Sequence, residues 1–163
     1  MARKILHQPA EVNISISKPN EKIEQAAFVV YDTQKIPLVK HLLQKKDFKM
    51  VLIFCSSKIA VKNLTRDLKR ARFLADEIHS DLEQSKREEV LMHFKSGRLP
   101  ILIATDILSR GIDIDNIDLV INYDVPHDGE DYVHRIGRTA RAATIPEPPP
   151  TGHRPEQPPR TGP

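Results

Sequence analysis

The chain has 163 residues, enough for one domain with a substantial core and too few for two of ordinary size. Apolar residues make up 39% and charged residues 29%, the balance of a globular domain, and the net charge of +3 with a pI near 9.0 permits a polyanionic partner without demanding one. No run of about 18 apolar residues exists to cross a membrane, "MARKILHQPAEV" lacks the apolar stretch of a secretion signal, and a lone cysteine, Cys55, excludes an internal disulfide.

Residues 1–25 are polar and irregular, with Pro9 and Pro19, and read as an entry segment or linker. A first strand is expected at 26–32, "AAFVVYD". A helix follows over 33–47, where Ile36, Val39 and Leu43 form one row with Leu38 and Leu42 beside it. Pro37 falls in its first turns, where a missing N–H costs little. "KMVLIFCSS" (49–57) is a continuous apolar run, as expected of a strand covered on both faces. Helix (58–71), short strand (72–81) and helix (83–97) come next. Val90, Leu91 and Phe94 point inward and Gly97 ends the last of these helices. Strands are expected at 99–106 and 117–124, then a helix and turn over 129–142. This alternation, repeated about five times, predicts an α/β fold of three layers with a mainly parallel sheet. In such sheets functional groups gather beyond the carboxyl ends of the strands. The polar segments "SSK", "HSD", "TDILSRGID" and "YDVPHD" fall there. Beyond Thr144 the composition breaks. Eight of the 13 prolines lie in 145–163, so residues 144–163 read as a proline-rich disordered tail.

Two searches for chemistry return nothing. The first glycine is Gly97, and no phosphate-binding G-x-x-x-x-G-K-[ST] loop precedes or follows it. No metal-ligand cluster has usable spacing. "DEIH" (Asp76–His79) imitates a magnesium-binding box, but Ile78 fits a buried strand and no upstream loop holds a nucleotide for the box to act on.

Two later segments say more. In "ATDILSRGIDI" (104–114), Thr105 and Asp106 end a buried strand, Arg110 and Gly111 follow a short turn, and Asp113 is a candidate either to accept hydrogen bonds from a ribose or to orient an arginine. The plainer alternative is that Asp106 caps a helix and Asp113 pairs with Arg110. In "DYVHRIGRTARA" (131–142), Arg135, Arg138 and Arg141 stand three apart beside His134 and Gly137. Guanidinium groups supplied from outside a phosphate loop stabilise the charge that develops in phosphoryl transfer. Arg138 and Arg141, one helical turn apart, are expected to reach one triphosphate whose phosphate loop lies elsewhere.

Four segments carry a family resemblance. "VLIFCSSK" (51–58), "HSDLEQSKREEVLMHFKSG" (79–97), "ATDILSRGIDI" and "HRIGRTAR" (134–141) resemble motif IV, the segment after it, motif V and motif VI of the second RecA-like lobe of DEAD-box ATP-dependent RNA helicases. The resemblance covers about residues 4–143. It implies that Arg138 and Arg141 are arginine fingers, and that Gly111 and Asp113 approach the ATP. It implies that Ser56, Ser57, Gln84, Arg87 and Thr105 hold the RNA backbone, and that His134, Asp106 and Arg110 couple the two ligand sites. ATP with Mg²⁺ would be held mainly by an absent first lobe. The implied partners are single-stranded or locally unwound RNA and that first lobe; the lone cysteine and the lack of an apolar span or secretion signal fit a reducing cytoplasm away from membranes. The isolated chain is then expected not to hydrolyse ATP. The alternatives are a non-catalytic RNA-binding module or an inactive fragment.

Three departures stand out. Ala140 and Ser80 replace usual glycines, and the tail stands where a final strand and helix are expected, which would leave a sheet edge exposed. Residues 1–25 resemble the end of the first lobe and the interlobe linker, as in a truncated chain.

Overall fold

The computed structural model describes residues 23–45, 48–105, 114, 117–139 and 141–145. Among these, six strands form one sheet: β1 (Glu24–Ala27), β2 (Val51–Cys55), β3 (Ala75–Ile78), β4 (Ile101–Thr105), β5 (Leu119–Asn122) and β6 (Arg141–Thr144). Four helices alternate with them: α1 (Asp32–Gln44), α2 (Lys58–Arg70), α3 (Gln84–Lys95) and α4 (Gly129–Ile136). The strand order is β1-β6-β5-β2-β4-β3, and every pairing is parallel. The expected three-layer α/β architecture is therefore the observed one.

β2 lies at the centre, and its side chains show how the layers form. Val51, Ile53 and Cys55 pack with Leu38, Val39, Val61, Leu64 and Leu68 of α1 and α2. The alternating Leu52 and Phe54 pack with Val90 and Phe94 of α3. Both faces are covered, so all five residues of β2 are buried and the strand reads as an unbroken apolar run. The edge strands obey the opposite rule. β1 (EQAA) and β3 (ADEI) are short and carry charges, which deters pairing with another chain. This explains the acidic pair of "DEIH": Asp76 receives Lys69 Nζ at 3.1 Å, and Ile78 is buried as expected.

Some boundaries differ from expectation. β1 begins at Glu24, not Ala26, because an edge strand needs only one covered face; of the apolar run after it, Val30 enters the core. Pro37 is the sixth residue of α1, beyond the first turn, so its ring does forgo one helical hydrogen bond. Gly97 takes φ +74° after α3, the left-handed turn expected of it. Leu91 is half-buried against the α3 cluster rather than within it.

The largest difference is at the C-terminal end. The slot for a last strand is filled by Arg141–Thr144, which pair with both β1 and β5 and overlap the "HRIGRTAR" segment itself. The sheet edge feared to lie open is thus an interior position, and no helix follows it among the described residues. Two alanines favour helix locally, but here the backbone groups of two flanking strands capture them. The small side chains leave a groove of about 130 Å³ lined by Ala26, Ala142, Ala143, Phe28, Leu42 and Phe48. Ala143→Val adds β-branched bulk into this space. It should raise stability by about 1 kcal/mol, read as a higher urea midpoint at unchanged slope; an unchanged or lower midpoint would mean that the groove does not accept the added carbons.

Candidate functional site

Because all strands run the same way, their carboxyl ends share one edge of the sheet. Cys55 and Thr105 are register partners there, so Ser56 and Ser57 leave β2 beside the half-buried Thr105. Ser57 caps α2, accepting from Ala60 N at 3.2 Å. Ser56 is tied across to the end of β5: its N and Oγ donate to Asp124 Oδ2 at 2.8 and 3.0 Å. Gln84 and Arg87 start α3, which follows the turn after β3. Gln84 Nε2 donates to Glu88 at 2.9 Å, and Arg87 Nη2 donates to the Ser80 carbonyl at 2.8 Å. The Nε of Arg87 is buried without a partner, an unused donor at this edge. The fold therefore gathers Ser56, Ser57, Gln84, Arg87 and Thr105 on one side of the molecule.

The turn 79–82 shows why Ser80 is tolerated in place of glycine. His79 is buried, facing Glu77 at 3.3 Å, and its Nδ1 accepts from Asp81 N at 3.3 Å. Arg72 is the sole non-glycine residue with positive φ among those described, so Ser80 needs no glycine backbone. Lys58 and Lys62 hold Asp81 by hydrogen bonds at 3.0 and 3.2 Å, which lowers its carboxyl below the ordinary value.

The arginines lie at the other end. α4 stops at Ile136. A Cβ on Gly137 would sit 3.1 Å from the Val133 carbonyl, so glycine eases the exit. Arg138 then lies in a turn whose carbonyl accepts from Ile117 N at 3.2 Å, before β5 begins. Arg141 is the exposed first residue of β6, and its Nε faces Glu24 at 3.5 Å. Arg138 and Arg141 are thus not one helical turn apart, because helix gives way to strand between them. Both stand near the amino ends of β5 and β6, away from the serines. Thr139 ties the turn together: its Oγ1 donates to Ile117 O at 2.5 Å and accepts from Arg141 N at 3.1 Å. His134 is exposed on α4. Asp106, Arg110, Gly111, Asp113 and Ala140 lie outside the described residues, as do most of the entry segment and the proline-rich tail.

Residues 34–143 match the model of the helicase conserved C-terminal domain. The chain belongs to that family. Its likeness is to the DEAD-box branch: it is 46% identical over 146 residues to "DEAD-box ATP-dependent RNA helicase 40" of Oryza sativa subsp. japonica, covering 87% of this chain and 18% of the relative. A DEAD box protein of the hyperthermophile Methanococcus jannaschii superposes with a TM-score of 0.74 at 41% identity, over 80% of this chain and 37% of that one. The C-terminal domain of the DEAD-box protein Dbp5 gives 0.69 at 28% identity, over 79% and 78%. The chain spans under a third of the curated relatives it matches. What it shares with them is one lobe, the helicase C-terminal domain with its RecA-like parallel sheet.

Within this helicase domain four polar residues, Arg135, Asp124, Lys35 and Tyr123, form a buried to half-buried cluster whose individual roles the sequence did not indicate. Arg135 is buried under α4, with its guanidinium 5.1 Å from the Phe54 ring centroid and its Nη1 donating to Asn122 Oδ1 at 3.0 Å and Asp124 O at 3.1 Å. Asp124 carries Ser56. Lys35, buried in α1, reaches the other Asp124 oxygen at 3.4 Å. Tyr123 packs under the same ammonium, 5.4 Å away, and burial pushes its hydroxyl pKa up to about 12, with Cys55 adding to the rise. The available signals were weak. Arg135 adjoins Ile136 on the inward face of α4, and Asp124 ends an apolar strand. Among the described residues no group of three acidic, histidine or cysteine side chains is placed to hold a metal.

Proposed function

We propose that this domain works as the second lobe of a DEAD-box ATP-dependent RNA helicase. One observation carries the reading: two groups of polar residues sit at two ends of one sheet. Ser56, Ser57, Gln84, Arg87 and Thr105 lie at the carboxyl edge, and Arg138 and Arg141 lie near the amino ends of β5 and β6. RNA backbone suits the first set, which mixes neutral donors with one guanidinium and holds a strand without reading its bases. A nucleotide phosphate suits the second. Gly111 and Asp113 approach the ATP in this reading, and His134, Asp106 and Arg110 couple the sites. Mg²⁺ would arrive with ATP on the first lobe. Closure of the two lobes completes the ATP site and grips RNA together, so ATP turnover is coupled to local duplex opening, and this chain alone does not turn ATP over. We assign the domain to the cytoplasm, with which its free buried Cys55 is compatible.

Binding of single-stranded RNA by the chain across a salt series tests the first half. Affinity should fall with salt at a log–log slope of about −0.7, set by the one guanidinium of this group, and Arg87→Ala should remove most of that slope. Absence of RNA binding, or binding indifferent to salt, would refute it.

A further inference from the structure

The two serines after β2 present opposite hydrogen-bonding faces. Ser57 Oγ accepts from Ala60 N, so its proton remains available to an outside acceptor such as a phosphate oxygen. Ser56 Oγ gives its proton to Asp124 Oδ2 at 3.0 Å. An ionised carboxylate has no proton to offer, so that bond runs only one way. The direction is enforced twice, because Ser56 N donates to the same oxygen at 2.8 Å and the buried Lys35 ammonium faces Oδ1 at 3.4 Å. What Ser56 shows to solvent is an exposed oxygen with lone pairs and no hydrogen. Phosphate oxygens only accept, so Ser56 has nothing for them. A ribose 2′-hydroxyl donates, and DNA lacks it.

We propose that Ser56 Oγ accepts a hydrogen bond from a ribose 2′-hydroxyl, with Asp124 as its positioning residue, and so helps this lobe prefer RNA to DNA. This rests on the reading that a nucleic-acid strand lies along the carboxyl edge, and it reassigns Ser56 from backbone grip to sugar discrimination. Ser57 keeps the phosphate.

The test compares fluorescence anisotropy binding of the full chain to a labelled uridine decamer and to the decamer of 2′-deoxyuridine, in one low-salt buffer. The ribose strand should bind more tightly. Ser56→Ala should weaken the ribose strand by about fivefold and leave the deoxy strand unchanged. Ser56→Thr, which keeps the hydroxyl, should retain the preference. Ser57→Ala should weaken both strands alike. The ratio of the two affinities is immune to any partly unfolded fraction, which lowers both equally. A ratio that Ser56→Ala does not change overturns the proposal while leaving the RNA reading intact. No binding of either strand by the unaltered chain overturns both.

Discussion

Joined to a DEAD-box first lobe ahead of residue 1, the chain should support RNA-stimulated ATP turnover that falls by about a thousandfold or more in Arg138→Ala and in Arg141→Ala. The expectation follows from where the structure anchors each residue. Arg138 is fixed through its backbone to Ile117, and Thr139 locks the same turn. Arg141 is fixed at its amide by Thr139, while its side chain is exposed and, among the described residues, paired with the surface carboxylate Glu24, 3.5 Å away. Such exposed pairs are worth at most about 1 kcal/mol, so a triphosphate would draw the guanidinium away easily. Lysine at either position should not rescue, because it offers a point charge in place of a planar fork. Turnover that survives both alanine variants would remove the finger assignment. A folded fusion that binds RNA and turns over nothing would place the lobe with non-catalytic RNA-binding modules.

The parts of this domain that sequence made legible are those where one force acts alone. β2 and β4 are buried on both faces and read as apolar runs. α3 stops at a glycine in the left-handed region, and that glycine was visible in advance. What stayed hidden was decided by distant partners. Residues 141–144 carry helix-favouring alanines, yet they enter the sheet because β1 and β5 leave a slot of their width. The spacing of Arg135, Arg138 and Arg141 suggested one helical face. The helix ends between the first and second, which leaves one guanidinium buried, one in a turn and one on a strand. The grouping of Ser56 with Thr105 was legible from the parallel-sheet rule. The orientation of the Ser56 hydroxyl was not, because Asp124 lies 68 positions away in sequence and Lys35 a further 21 from Ser56 on the other side.

Arg135→Met should cost about 3 kcal/mol of folding stability, a large share of what a domain of this size possesses. Methionine fills much of the same volume, so the loss would come from what the guanidinium leaves behind. Asn122 is fully buried; its Oδ1 accepts from Arg135 and its Nδ2 donates to Thr144 Oγ1 at 3.2 Å. Without Arg135 that oxygen and the Asp124 carbonyl lose a charged donor in a dry setting, where an unmet acceptor is expensive. Lysine should rescue poorly, since one ammonium cannot reproduce the geometry of a guanidinium that also lies over Phe54. Asn122→Leu combined with Arg135→Met removes an acceptor and its donor together. The double variant should therefore be less damaged than the sum of the singles, by about 1 kcal/mol or more in a urea-denaturation cycle. The damage should also travel: Arg135 holds the main chain of Asp124, and Asp124 holds Ser56, so RNA affinity should fall in folded Arg135→Met although that arginine is buried. Additive losses, with RNA affinity intact, would mean that Arg135 is a packing residue and that the carboxyl edge is oriented without it.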